Sequence, residues 1–106
     1  MNKYEFLKEM YGDAYFPKHL VKKGHDILVA LCLKIEKAKP PNLDALYRLT
    51  HAATDEFNDL AEEFAEADSE IETAARECIC IDMHNIAKAY GFADADIEEL
   101  TATRDW

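Results

Sequence analysis

Glycine, serine and paired cysteine are scarce in this chain, and each shortage closes off a class of chemistry. The three glycines, Gly12, Gly24 and Gly91, stand far apart, so no Gly-rich loop is present to cradle a phosphate. Ser69 is the only serine. It precedes Glu72 at capping-box spacing, which accounts for it as a helix N-cap and leaves a Ser-His-Asp triad without a nucleophile. The three cysteines, Cys32, Cys78 and Cys80, are an odd number with two of them one residue apart. That is a poor disulfide framework, and a reducing cytoplasm is the expected location. The longest apolar run, residues 27–33, is far too short to span a membrane. The first twenty residues carry charges throughout and no apolar segment, so no secretory leader is expected.

Positive charge is the other shortage, and it is local. The formal net charge is −10. Residues 1–41 hold eight lysines against five acids, whereas residues 42–106 hold four bases against seventeen acids. Between Leu49 and Ala75 there are nine acids and no Lys or Arg. Such a surface repels a phosphate backbone, so nucleic acid is not an expected partner, and it favours a basic protein surface instead.

What is present is helical punctuation. A first helix is expected at about Lys3–Tyr11, closed by Gly12. Pro17 opens a second, which ends at Pro40 and Pro41. Its apolar arc of Leu20, Val21, Ile27, Leu28, Leu31, Cys32, Ile35 and Ala38 is broken by Gly24, the mark of a kink or a close crossing. Val29 and Leu33 fall on its other side, where either the first helix covers them or a homodimer forms through them. Asn42 caps a third helix, Leu43 to about Ala67. Leu43, Leu46, Leu49, Thr50, Ala53, Phe57, Leu60, Ala61 and Phe64 make its expected buried face. A fourth helix is expected from the Ser69 capping box to Tyr90, closed by Gly91, and a short fifth from Asp94 or Asp96 to about Thr103, with Ile97 and Leu100 facing inward. Trp106 is expected to fold back onto the core. The fold class is therefore all-α: one domain over residues 1–106, a four-helix up-down bundle with a short fifth C-terminal helix.

The stretch RECICIDMHNIA, residues 76–87, concentrates the chemistry. Glu77, Cys80 and His84 cluster on the side opposite the buried face of Ile71, Ala75, Ile79, Ile86, Ala89 and Tyr90. Cys80 and His84, four residues apart, can grip one metal ion from two sides, but no second ligand pair exists for a structural zinc site. No Glu-x-x-His pair exists for a di-iron site. The competing reading is a solvated thiol beside a solvated imidazole. Cys32, on an apolar face, reads as a small core hydrophobe. Asp82 lies between Ile71, Ala75, Cys78, Ile86 and Ala89, so its carboxylate must find donors or take up a proton more readily. Its candidate partners are Tyr4, Tyr11, Tyr15 and His19. His51 and Asp55, also four apart, are placed to pair.

Several segments, YFPKHLVKKG, THAATDEFNDLAEEF, SEIETAARE and AYGFADADIEELTATRDW, resemble a family of small, uncharacterised bacterial helical proteins. The resemblance runs from about Tyr11 onward. It implies a stand-alone helical domain and brings no activity, cofactor or site residue. The leading functional expectation is a non-enzymatic interaction module that binds a basic protein through Asp55, Glu56, Asp59, Glu62, Glu63 and Glu66. An immunity-type inhibitor of a basic toxin is one form of it. The alternative is a metal- or thiol-dependent enzyme or sensor built on Glu77, Cys80 and His84.

Overall fold

Helices form where the apolar period approaches 3.6 residues, and most stop at the punctuation that the sequence supplies. The computed structural model describes residues 4–106, and these contain no strand. Five helices follow one another: α1 (Lys8–Tyr11), α2 (Lys18–Ala38), α3 (Leu43–Glu66), α4 (Thr73–Ala89) and α5 (Ile97–Leu100). The all-α class stands, but three of the helices are long and two are single turns. The radius of gyration of 13.1 Å is that of a chain of about 100 residues folded on one core.

α3 is the clearest case of local cause. The Asn42 side chain accepts from the Ala45 amide, as a cap should. Thr50, Ala53, Phe57, Leu60 and Phe64 are all buried. α2 lies along α3, and Gly24 marks their close approach. A Cβ at residue 24 would sit 2.9 Å from Leu7 Cδ1 and 3.1 Å from Phe57 Cε1. Of the two roles open to Gly24, the close crossing is the one realised.

Several expectations are corrected. The first helix, expected from Lys3, is only the single turn α1, and Lys3 itself lies outside the described residues. Leu7 has φ 57°, in the left-handed region, which helices do not tolerate. Phe6, Leu7 and Met10 still plug the core, so the segment is a strap rather than a rod. It does not cover the second side of α2, where Leu33 stays 61% exposed.

Ser69 is not an N-cap. α3 ends in a left-handed Asp68 (φ 59°), with Asp68 N bonded to Ala65 O and Ser69 N to Phe64 O. This pairing is a Schellman motif, and it uses Ser69 to close α3 instead of opening α4. Among the described residues the buried Ser69 hydroxyl has no hydrogen-bond partner, and α4 starts at Thr73 behind a Glu72 whose side chain makes no cap bond. At the far end of α4 the same motif forms as expected at Gly91 (φ 92°): Gly91 N bonds Lys88 O and Phe92 N bonds Ala87 O.

On α4, Ala89 is exposed, whereas Met83 and Ala87 are buried, and on α5 Leu100 faces inward as expected but Ile97 is exposed. The buried arc is wider than the sequence wheel drew it, because α1 and α5 both pack on α4.

Candidate functional site

The acidic face follows directly from the phase of α3. With Phe57, Leu60 and Phe64 turned inward, Asp55, Glu56, Asp59, Glu62 and Glu66 are exposed. From Asp55 to Glu66 the stripe extends about 16 Å at 1.5 Å per residue. Among the described residues none of these five carboxylates has a cation within ion-pair distance. Glu63 differs: it is half-buried and paired with Lys23 of α2 at 2.5 Å. The sequence offered no base nearby on α3, and the relief comes from a helix 40 residues away. The unpaired neighbours at i, i+3 and i, i+4 repel by a few tenths of a kcal/mol per pair.

A second constellation surrounds Asp82. The carboxylate is 6% exposed and accepts at both oxygens: from the Tyr4 hydroxyl at 2.6 Å and from the Leu7 amide at 2.7 Å. Asn85 Nδ2 donates to the Tyr4 oxygen at 2.8 Å and locks the phenol in place. Burial raises the Asp82 carboxyl above the ordinary carboxylate range, and the two donors oppose that shift. Burial, then the bond to Asp82, also raises the Tyr4 phenol. Cys78, beside them, is pushed up to about 11 by burial and by the Asp82 charge, so its thiol stays protonated and unreactive at neutral pH. A groove of about 430 Å³ opens here, lined by Tyr4, Lys8, Glu9, Cys78, Ile81 and Asp82 among others. Of the four candidate partners of Asp82, Tyr4 is the one used. The Leu7 amide and Asn85 were missed. Asn85, three residues on from Asp82, shares its helix face and was open to detection. The bond from a main-chain amide 75 residues away was not.

Glu77, Cys80 and His84 are not brought together as one solvated group. Glu77 is exposed, while Cys80 and His84 are half-buried. The C-terminal segment lies across this flank, and Cys80 Sγ stands 3.5 Å from Thr101 Oγ1. Among the described residues no three His, Cys, Asp or Glu side chains gather as a metal would require. Cys32 is buried in the core, and burial raises its thiol. His51 turns away from Asp55: its Nε2 donates to Glu99 O at 2.7 Å, and its ring stacks on Tyr47 with centroids 6.2 Å apart. A carbonyl held in place by the fold outcompetes an exposed carboxylate for that N–H.

The C-terminal segment is sewn on by polar bonds. Asn58 donates to Thr103 O at 3.0 Å and accepts from Asp105 N at 3.0 Å. Arg76 Nε donates to Trp106 O at 3.2 Å. The Trp106 ring packs edge-on against Phe57, as expected of an indole folded back on the core, and its buried Nε1 has no hydrogen-bond partner among the described residues. No described helix is long and apolar enough to cross a membrane.

Compared with known proteins, residues 1–106 match one family model, described as a family of unknown function (DUF5713). No curated protein and no solved structure matches the chain.

Proposed function

The chain belongs to that family of unknown function, which brings no activity with it, and we propose from the geometry that it is a cytoplasmic, non-enzymatic interaction module for a basic protein. The observation that carries this reading is the α3 stripe: Asp55, Glu56, Asp59, Glu62 and Glu66, all exposed and none neutralised by a described cation. A partner presenting Lys or Arg at helical spacing relieves the repulsion along the stripe and is steered to it over about a Debye length, 8–10 Å at cellular salt. Glu63 contributes less than the other five, because Lys23 already satisfies it. A basic toxin or nuclease blocked by charge complementarity is one form of such a partner.

The test is co-purification from the native host with wild type and with a triple variant, Asp55→Lys, Asp59→Lys, Glu62→Lys, whose fold is checked by circular dichroism. A basic protein retained by wild type, released by salt and absent from the variant supports the reading. The same proteins retained by both sinks it. Leu33 at 61% and Val29 at 36% exposure favour a second, compatible reading, self-association through α2. Sedimentation of the same samples reports it, and a monomer at every ionic strength removes it.

A further inference from the structure

The outer face of α2 departs from the acidic character of the rest of the chain. Residues 18–39 hold six lysines against two acids, Asp26 and Glu36, in a chain of formal net charge −10. Leu33, 61% exposed, and Val29, 36% exposed, stand one turn apart in the middle of that face. A groove of about 310 Å³ runs beside them, lined by Phe6, His25, Val29, Cys32, Leu33 and Glu36 among others. Two copies of an acidic chain repel each other, but a face that presents both signs can be met by a second such face with opposite charges opposed.

The line through Val29 and Leu33 is the natural seam. Asp26 and Lys37 lie about 40–60° to one side of it, and His25 and Glu36 about 40–60° to the other, at 3.6 residues per turn. Along the axis His25 and Asp26 stand about 7.5–9 Å before the midpoint of the seam, and Glu36 and Lys37 about 7.5–9 Å after it. A two-fold rotation onto an antiparallel partner keeps each flank on its own side and exchanges the ends. Asp26 then meets Lys37 of the second copy, Glu36 meets its His25, and Val29 packs on its Leu33. Lys37 has no ion pair among the described residues. Glu36 is already held in place by the Tyr90 hydroxyl. A parallel pairing is disfavoured, because it sets Lys22 against Lys22 in the seam and brings like ends of the two helix dipoles together.

We infer that α2 is the interface of a two-fold homodimer, packed antiparallel on α2 of a second copy with Val29 and Leu33 at the seam. The inference rests on the reading that the chain self-associates through α2, and it adds the orientation and the ionic contacts. The seam holds two apolar side chains per copy, so the dimer belongs to the small, transient class that buries less than about 1,200 Å². It uses none of the acids of the α3 stripe.

The experiment is sedimentation velocity of the full chain over a concentration series reaching the millimolar range. It compares wild type with Leu33→Asp, Lys37→Glu, Asp26→Lys and the double variant Asp26→Lys, Lys37→Glu. All three altered side chains are exposed, and melting curves check that each variant folds. Wild type is expected to pass from monomer to dimer, and Leu33→Asp to stay monomeric. Lys37→Glu and Asp26→Lys each set like charges together and weaken association at least about tenfold. The double variant opposes unlike charges again and recovers to within about threefold of wild type. In a parallel dimer it does not recover, because the two altered positions then face Glu36 and His25 instead of each other. A dimer lost in Leu33→Asp but not restored by the double variant overturns the antiparallel orientation and leaves self-association through α2 standing. A wild type that stays monomeric throughout, or a dimer indifferent to Leu33→Asp, overturns both.

Discussion

The two ends of the described chain are both short straps with a single helical turn, yet the balance of what holds them differs. The N-terminal strap is held from inside. Phe6, Leu7 and Met10 are buried, and one carboxylate, Asp82, receives both Tyr4 and the Leu7 amide. The C-terminal strap buries Ala95, Leu100 and Thr101 and adds a row of polar bonds at its rim, from Asn58, Arg76 and His51. Exposed bonds exchange with water and are worth about 1 kcal/mol or less each, whereas buried side chains lose contacts that nothing replaces. The lesson is that segments of similar size can differ severalfold in what a single substitution costs.

The difference is tested most strongly at Leu7. Leu7→Ala removes a side chain that is 1% exposed and fills the space above Gly24. It is expected to cost about 3 kcal/mol, read as a fall in the urea midpoint. A loss below about 1 kcal/mol would show that the N-terminal strap is no firmer than the C-terminal one.

Asp82→Ala comes next, at about 2 kcal/mol at neutral pH, because it strands the buried Leu7 amide. Its pH dependence has a definite sign. The Asp82 carboxyl is raised in the folded state, so the native protein holds that proton over a window in which the unfolded chain has released it. The contribution of Asp82 is then greatest at low pH and is lost as pH rises from about 4 through the raised value. The gap in stability between wild type and Asp82→Ala therefore widens on going from pH 7 toward pH 4.5. A gap that narrows would mean that the two donors, not burial, set the proton affinity.

The smallest effect is expected at the other end. Asp96 accepts from the Glu98 and Glu99 amides as the N-cap of α5. Asp96→Ala should cost about 1 kcal/mol and speed hydrogen exchange at those amides alone. Faster exchange at Leu7 as well would show that the two straps are coupled through the core they share at Phe57.

The ends also show how far the sequence could be read. α5 was expected where it forms because its cause is local: Asp96 lies two residues before the amide it caps. The N-terminal segment was misread as a helix because its apolar spacing was real but its backbone answers to Asp82, 75 residues on. The single serine shows the same limit. Ser69 and Glu72 have capping-box spacing, but the Schellman closure of α3 claims the Ser69 amide first. Of the candidate sites, the exposure of Asp55, Glu56, Asp59, Glu62 and Glu66 was readable, since the phase of one helix determines it, but the pairing of Glu63 with Lys23 of α2 was not. The Asp82 constellation was readable only in part, since its donors come from a segment 75 or more residues away.

Local chemistry alone was enough to specify an all-helical chain, the cap at Asn42, the stop at Gly91 and the phase of α3 that turns Phe57 and Phe64 inward and its acids outward. Each of these depends on neighbours within about one helical turn, where periodicity and capping act. Tertiary packing settled the remainder: the strap at Leu7, the partner of Asp82, the turn of His51 toward Glu99 and the cover over Cys80. A buried polar group takes whichever donor or acceptor the completed core brings within about 3 Å, and spacing along the chain carries no record of that choice.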